Sequence, residues 1–196
     1  MQPALFPAFI KLAGRACLVV GAGSVAEAKI SSLLECGAHV TVVAPESPGR
    51  VRSLASVRKI RLVPRKFAPS DLNGVFLVVA ATSDAAVNRA VFQEARERGI
   101  LCNSVDDPQH CDFYFPAVAR RGPLQVAIST SGESPALAQR IRREVEESLD
   151  ASFGDWVEDI GALRREIMAA LPPSEERKRL LHRLAHTENS AREPRP

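Results

Sequence analysis

The chain has 196 residues, 45% hydrophobic and 25% charged, with a formal net charge of +3. These proportions exclude a disordered, collagenous or low-complexity chain, and the length supports a core without disulfides or a structural metal. So small a positive excess also excludes a dedicated nucleic-acid binder, which would show a concentrated basic surface. The excess lies early: residues 1–113 carry 13 Lys/Arg against 10 Asp/Glu, whereas residues 114–196 carry 13 of each.

The opening Met1-Gln2-Pro3-Ala4-Leu5-Phe6-Pro7 has neither the basic start nor the apolar stretch of a signal peptide. No uninterrupted apolar segment approaches the roughly 20 residues that span a bilayer, so a cytoplasmic protein with no membrane partner is expected. From residue 16 to 105, short apolar runs alternate with helical patterns, which marks βαβ units on a parallel sheet. Residues 16–20 (ACLVV) form the first run, and residues 25–36 follow at helical spacing and stop at Gly37. Residues 40–43 (VTVV) are β-branched, residues 60–63 make a weaker strand, and residues 75–81 (VFLVVAA) are apolar throughout. That last pattern suits a central parallel strand covered on both faces. A helix is predicted over 85–98, ended by Gly99, and a short strand over 100–102.

After Asp112 the pattern changes. Residues 125–130 (QVAIST) read as a strand, and Ser134 caps a helix over 135–149 that begins with Pro135. That helix carries Leu137, Ile141 and Val145 on one stripe. Amphipathic helices over 156–171 and 175–186 follow, the second capped by Ser174, and residues 187–196 are expected to be disordered. The fold class is therefore α/β, a parallel sheet followed by a smaller α+β unit and a helical segment.

Gly21-Ala22-Gly23-Ser24-Val25-Ala26 stands between the first strand and the first helix as G-x-G-x-x-A. Gly21 permits a tight turn, Gly23 lets backbone approach a pyrophosphate, and Ala26 sits where helix and strand pack closely. The free N–H groups of the helix start then face the diphosphate. The ribose-binding acid expected about 20 residues later is Glu46, beyond Val42-Val43-Ala44-Pro45; either Glu46 or backbone near Pro45 meets the ribose. Arg50 is close but not at that tip, which favours NAD over NADP.

Ligands of parallel sheets lie beyond the carboxyl ends of the strands, so Thr82 is a candidate cofactor neighbour, with Ser83 or Asp84 available to cap the next helix. Asn103-Ser104-Val105-Asp106-Asp107 ends the next strand. Adjacent strand residues point opposite ways, so one aspartate is expected to face the site as a proton-transfer group. The rival role for the pair is a turn before Pro108. Arg120, Arg121, Arg140, Arg142 and Arg143 flank the 129–134 loop and suit a polyanionic substrate, or else ion pairs with Glu144, Glu146 or Glu147. Cys17, Cys36, Cys102 and Cys111 form no C-x-x-C, so no zinc knuckle or dithiol motif is expected. Cys17 and Cys102 lie in apolar runs as small buried hydrophobes. No metal site is expected at His110-Cys111-Asp112, because three consecutive residues cannot converge on one ion. His182 and His186 are assigned to a solvated helix face.

In order, these segments resemble the precorrin-2 dehydrogenase / sirohydrochlorin ferrochelatase family of siroheme biosynthesis. The resemblance rests on Leu5-Phe6-Pro7-Ala8-Phe9, the glycine loop with Lys29, Gly37-Ala38-His39-Val40, Ala80-Ala81-Thr82-Ser83-Asp84 with Asn88, and Asn103-Ser104-Val105-Asp106-Asp107. Asp112-Phe113-Tyr114-Phe115-Pro116 and Ser129-Thr130-Ser131-Gly132-Glu133-Ser134-Pro135 are its most specific parts. It implies an NAD-binding Rossmann domain over 1–113, a dimerisation domain over 114–149, a helical domain over 150–186 and a tail over 187–196. It implies a homodimer that oxidises precorrin-2 to sirohydrochlorin with NAD+, and in bifunctional members inserts Fe2+ in the same cleft. By the same resemblance Asp106 is the key aspartate and Asp107 its turn-forming neighbour. Gly21, Gly23, Ser24, Val25, Pro45, Glu46 and Thr82 are expected at the cofactor, and Asn103, Thr130, Ser131, Ser134 and Arg120 at the substrate. A serine that is phosphorylated in some members matches Thr130. The rival reading is a regulatory module that binds NAD(H) without chemistry, which leaves the two most specific motifs unexplained.

Overall fold

The computed structural model describes residues 4–186, and the chain divides into two compact units after Tyr114. The tail expected to be disordered lies outside the described residues. In the first unit five parallel strands form one sheet: β1 (Ala16–Val20), β2 (His39–Val43), β3 (Arg61–Val63), β4 (Leu77–Ala80) and β5 (Leu101–Ser104). Their spatial order, β3-β2-β1-β4-β5, is that of a doubly wound sheet. Three helices connect them: α1 (Ser24–Glu35), α2 (Gly49–Ser56) and α3 (Ala85–Glu97).

The buried apolar runs explain the central strands. All four residues of β4 are buried, as are four of five in β1. On one face Leu18, Val20, Val78, Ala80 and Cys102 pack with Val91, Phe92 and Ala95 of α3. Full burial of a Val or Leu side chain stabilises by about 1.5–3 kcal/mol, so this layer supplies much of the driving force. Burial pushes the Cys102 thiol up to about 12 and Cys17 up to about 11, and both act as apolar fillers. Helix α1 closes at Gly37, whose φ of 74° is the left-handed conformation that ends helices.

The helix α2 has almost no apolar face; Val51 is its one buried residue, and no helix was expected there. Strand β4 begins at Leu77 rather than at residue 75. A salt bridge fastens the loop between β3 and β4: Arg65 Nη2 and Nη1 donate to Asp71 Oδ1 and Oδ2 at 2.6 and 2.8 Å, and the Ala68 amide also donates to Oδ2 at 2.8 Å.

The second unit opens with an antiparallel pair, β6 (Ala117–Arg121) and β7 (Leu124–Ile128). β6 was not expected. Its inward residues are only Ala117 and Ala119, and it ends in two arginines. β7 replaces the strand expected over 125–130. Helices α4 (Pro135–Ser148), α5 (Phe153–Ala170) and α6 (Glu175–Ala185) complete the unit. α5 begins before the expected residue 156, and Phe153 stacks edge-on with Trp156, ring centroids 5.0 Å apart. Its Gly154 meets the hairpin turn: a Cβ there would lie 2.9 Å from the Gly122 amide nitrogen. On α4 the buried residue is Ala138, while Leu137 of the expected stripe is exposed. Among the described residues no helix is long and apolar enough to cross a membrane.

Gly21 has φ 107°, and a Cβ on it would lie 2.3 Å from the Ala81 carbonyl oxygen. Gly21→Ala therefore combines backbone strain with a clash against main chain and should cost about 2–4 kcal/mol in a denaturant melt. The Arg65 guanidinium, together with the Ala68 amide, holds the Asp71 carboxyl below its ordinary 3.8. A carboxyl depressed in the folded state stabilises above its unfolded value and loses that contribution as pH falls through the folded value. Asp71→Asn should accordingly lower Tm at pH 7, and the gap from the native protein should close as pH falls below 3.8.

Candidate functional site

The candidate site residues of the first unit collect at the carboxyl ends of β1, β2, β4 and β5. The turn after β1 is pinned on two sides: the Gly21 amide donates to Val43 O at 2.9 Å, and Gly21 lies against the Ala81 carbonyl. Gly23 is the N-cap of α1, with extended backbone and no side-chain cap. A Cβ on Gly23 would meet no protein atom within 4 Å, so packing within the chain does not require glycine there. The open space lies beside the helix start, where the first-turn amides have no partner within the helix. Such amides and the helix dipole attract phosphate, and Ser24 and Val25 are exposed on this turn. A close-approaching pyrophosphate fits this cradle. Pro45 and Glu46, at the tip of β2, are exposed, whereas Ala44 is buried. The nearby Arg52 Nε donates to Ser47 Oγ at 3.4 Å.

Thr82 ends β4 in a local network: its Oγ1 donates to Asn88 Oδ1 at 2.7 Å, and Asn88 Nδ2 donates back to Thr82 O at 3.1 Å. The Thr82 amide also donates to Asn88 Oδ1, at 3.1 Å, so its hydroxyl and its backbone alike fix the loop at the end of β4. Of the two candidate caps for α3, Asp84 holds the position, its Oδ1 accepting from the Ala86 amide at 2.8 Å.

The Asp106–Asp107 pair does not lie on a strand. β5 ends at Ser104, the Val105 amide donates to Ala80 O at 2.9 Å, and Asp106 has φ 61°. A left-handed turn, not strand alternation, separates the two carboxylates. Asp106 is exposed; Asp107 Oδ2 is 2.8 Å from His110 Nδ1, and the His110 ring meets Phe92 edge-on. One carboxylate is thus presented and its neighbour is committed.

Asn103 is buried, its Nδ2 donating to Phe113 O at 2.8 Å and to Cys111 Sγ at 3.4 Å. Cys111 Sγ in turn donates to Ser104 O at 3.1 Å. Asn103 therefore holds the 111–113 segment in place. Lys29, on α1, is half-buried; burial lowers its pKa, and the charge of Asp106 acts against that shift.

In the second unit the 129–134 loop folds onto the start of α4. Thr130 Oγ1 accepts from the Ser134 amide at 3.0 Å, Ser134 Oγ caps α4 by accepting from the Leu137 amide at 3.3 Å, and Ser131 has φ 54°. Thr130 and Ser134 carry structural bonds, while Ser131 is exposed. Arg120 is exposed on β6. Arg121 is not: its guanidinium donates to Glu146 O at 2.6 Å and Leu149 O at 3.0 Å, closing the carboxyl end of α4. Arg140 pairs with Glu144 and Arg142 with Glu146 along the helix. For these two arginines the ion-pair role is the one observed.

Comparison with known proteins places this arrangement. A family model described as putative NAD(P)-binding matches residues 8–117, and one described as the sirohaem biosynthesis protein central region matches residues 121–148. A siroheme synthase of Neisseria meningitidis serogroup C is 44% identical over 174 residues, which is 89% of this chain and 36% of the relative. A siroheme synthase of Methylococcus capsulatus is 41% identical over 177 residues, 90% of this chain and 37% of the relative. The chain thus spans little more than a third of these relatives. The solved structure of SirC, a precorrin-2 dehydrogenase, superposes with a TM-score of 0.76 at 31% identity, covering 92% of this chain and 89% of SirC. With two family models in sequence order and a superposition along nearly the whole of SirC, the chain belongs to the precorrin-2 dehydrogenase family of siroheme biosynthesis.

Proposed function

We propose that this chain oxidises precorrin-2 to sirohydrochlorin with NAD+, using Asp106 as the proton acceptor. The observation that carries the reading is the presentation of one exposed carboxylate, Asp106, at the same sheet edge as the open glycine cradle. Gly21, Gly23 and the amides of Ser24 and Val25 would hold the pyrophosphate, with Pro45 and Glu46 at the ribose and Thr82 as a further neighbour of the cofactor. When bound, NAD+ would supply the acceptor for one hydrogen of the substrate together with its electron pair. The second hydrogen leaves as a proton, and a carboxylate within reach accepts it. Asp107 keeps the turn in place through His110, which leaves Asp106 as that carboxylate.

The substrate is polycarboxylated, and the basic surplus of residues 1–113 favours its approach. Arg120 and Ser131, both exposed, are the second-unit groups proposed to meet it; within their own units Asn103 holds the 111–113 segment, and Thr130 and Ser134 order the start of α4. The domain division at about residues 113 and 149, a cytoplasmic location and a homodimer belong to the same proposal. The two-stranded β6–β7 sheet and the exposed Leu137 beside it support pairing through the second unit. Fe2+ insertion, known in bifunctional members, would take iron as substrate and displace two pyrrole N–H protons; Asp106 would accept one, and the other would leave to solvent.

Anaerobic incubation with precorrin-2 and NAD+, followed by absorbance, tests the reading. Formation of NADH and sirohydrochlorin is expected, and binding of NAD+ by folded protein without turnover would leave only a sensing role. Asp106→Asn should lower kcat by about 100-fold or more, the scale of general-base catalysis, with NAD+ affinity retained. Gly23→Ala should leave Tm within about 1 °C, because its Cβ meets no protein atom. It should weaken NAD+ binding in calorimetry by about tenfold or more, since the methyl enters the space of the pyrophosphate.

A further inference from the structure

Asp106 is a non-glycine residue in the left-handed region, with φ 61°. Such a residue keeps that conformation only where its surroundings over-determine it. On the near side the strand fixes the turn: β5 ends at Ser104, and the Val105 amide donates to Ala80 O at 2.9 Å. On the far side the fixing falls to Asp107. Pro108 follows it and disfavours helical backbone there, and Asp107 takes φ −132° and ψ 80°. Asp106 is left to make the turn.

Main-chain bonds hold Asp107 from both directions. Its amide donates to Ser104 O at 3.2 Å, and its carbonyl accepts from the His110 amide at 3.0 Å. Its carboxylate is met by His110, with Oδ2 lying 2.8 Å from Nδ1. A carboxylate accepts and does not donate, so Nδ1 carries the proton. The imidazole is braced in turn: its ring meets Phe92 edge-on, with centroids 5.1 Å apart and planes at 86°. Phe92 is buried on α3 within the core. A line of contacts therefore runs from the core through Phe92, His110 and Asp107 to the turn that carries Asp106. The Asp107 and His110 side chains are 31% and 25% exposed, and an ion pair so open to water adds little stability. Its contribution is geometric.

We infer that His110 is a positioning residue for Asp106: by donating from Nδ1 to Asp107 it holds the left-handed turn that presents the Asp106 carboxylate to the substrate. This rests on the dehydrogenase reading and assigns a role to a side chain outside the reacting groups. Without the clamp the turn relaxes toward the conformations that aspartate ordinarily adopts, and the carboxylate leaves its reacting position.

Two measurements on the full chain test it. In turnover assays His110→Leu should lower kcat by about tenfold with the KM for NAD+ unchanged, since a misplaced reacting group costs that much or more. His110→Asn should restore most of the loss, its side-chain amide donating from the place of Nδ1. Equal kcat in His110→Leu and the native protein would overturn the proposal, as would a loss that His110→Asn does not repair. Amide hydrogen exchange needs no substrate and reads the turn itself. In His110→Leu the Asp107 amide should exchange about tenfold faster while the Val105 amide is unchanged. An unchanged Asp107 amide, or equal acceleration of both amides, would contradict the clamp. If the native protein fails to oxidise precorrin-2 while the Asp107 amide alone responds, the dehydrogenase reading fails and the clamp stands. Should His110→Leu fail to fold, Asp107→Ala removes the acceptor instead and is read by the same two measurements.

Discussion

The close approach of Gly21 to the Ala81 carbonyl is the constraint on which the first unit depends. Only a residue without a Cβ can pass there, at a φ that other residues rarely adopt. Because it passes, the turn after β1 sits directly against the end of β4, and α1 leaves the sheet with its first amides facing the strand tips. The Val105–Ala80 bond draws the end of β5 to the same place. Three strand ends, a helix start and one presented carboxylate are gathered by two backbone contacts.

Commitment of polar groups then separates the site from its frame. Asn103, Thr82 and Asp107 at the strand ends and Asn88 on α3 beside them are polar, but each is engaged with protein atoms. Asp106, Glu46 and the exposed helix start are presented. The second unit follows the same economy: Arg121 gives its guanidinium to carbonyls at the end of α4, and Ser134 gives its hydroxyl to the beginning. Arginines that look alike in sequence therefore do different work, Arg120 facing solvent while Arg121 closes a helix.

The parallel sheet was legible because its strands are short apolar runs set off by glycines, and the dinucleotide turn because its three small residues fall at a strand–helix junction. What escaped was either weakly patterned or long-range. α2 buries only Val51, and β6 turns only alanines inward, so neither raises an apolar signal. Strand alternation was the wrong argument for Asp106 and Asp107: the strand stops two residues earlier and a left-handed turn separates them. The Arg121 contacts to Glu146 and Leu149 join residues far apart in the chain. No local pattern encodes either.

The claim at the centre is that one cofactor site is formed jointly by the glycine turn and the turn that carries Asp106. Backbone amide hydrogen exchange of the full chain, with and without saturating NAD+, tests it most directly. Slowed exchange in both residues 21–26 and residues 104–107 on NAD+ addition is the expected result. Protection confined to one of these turns, or found only elsewhere in the chain, would contradict it.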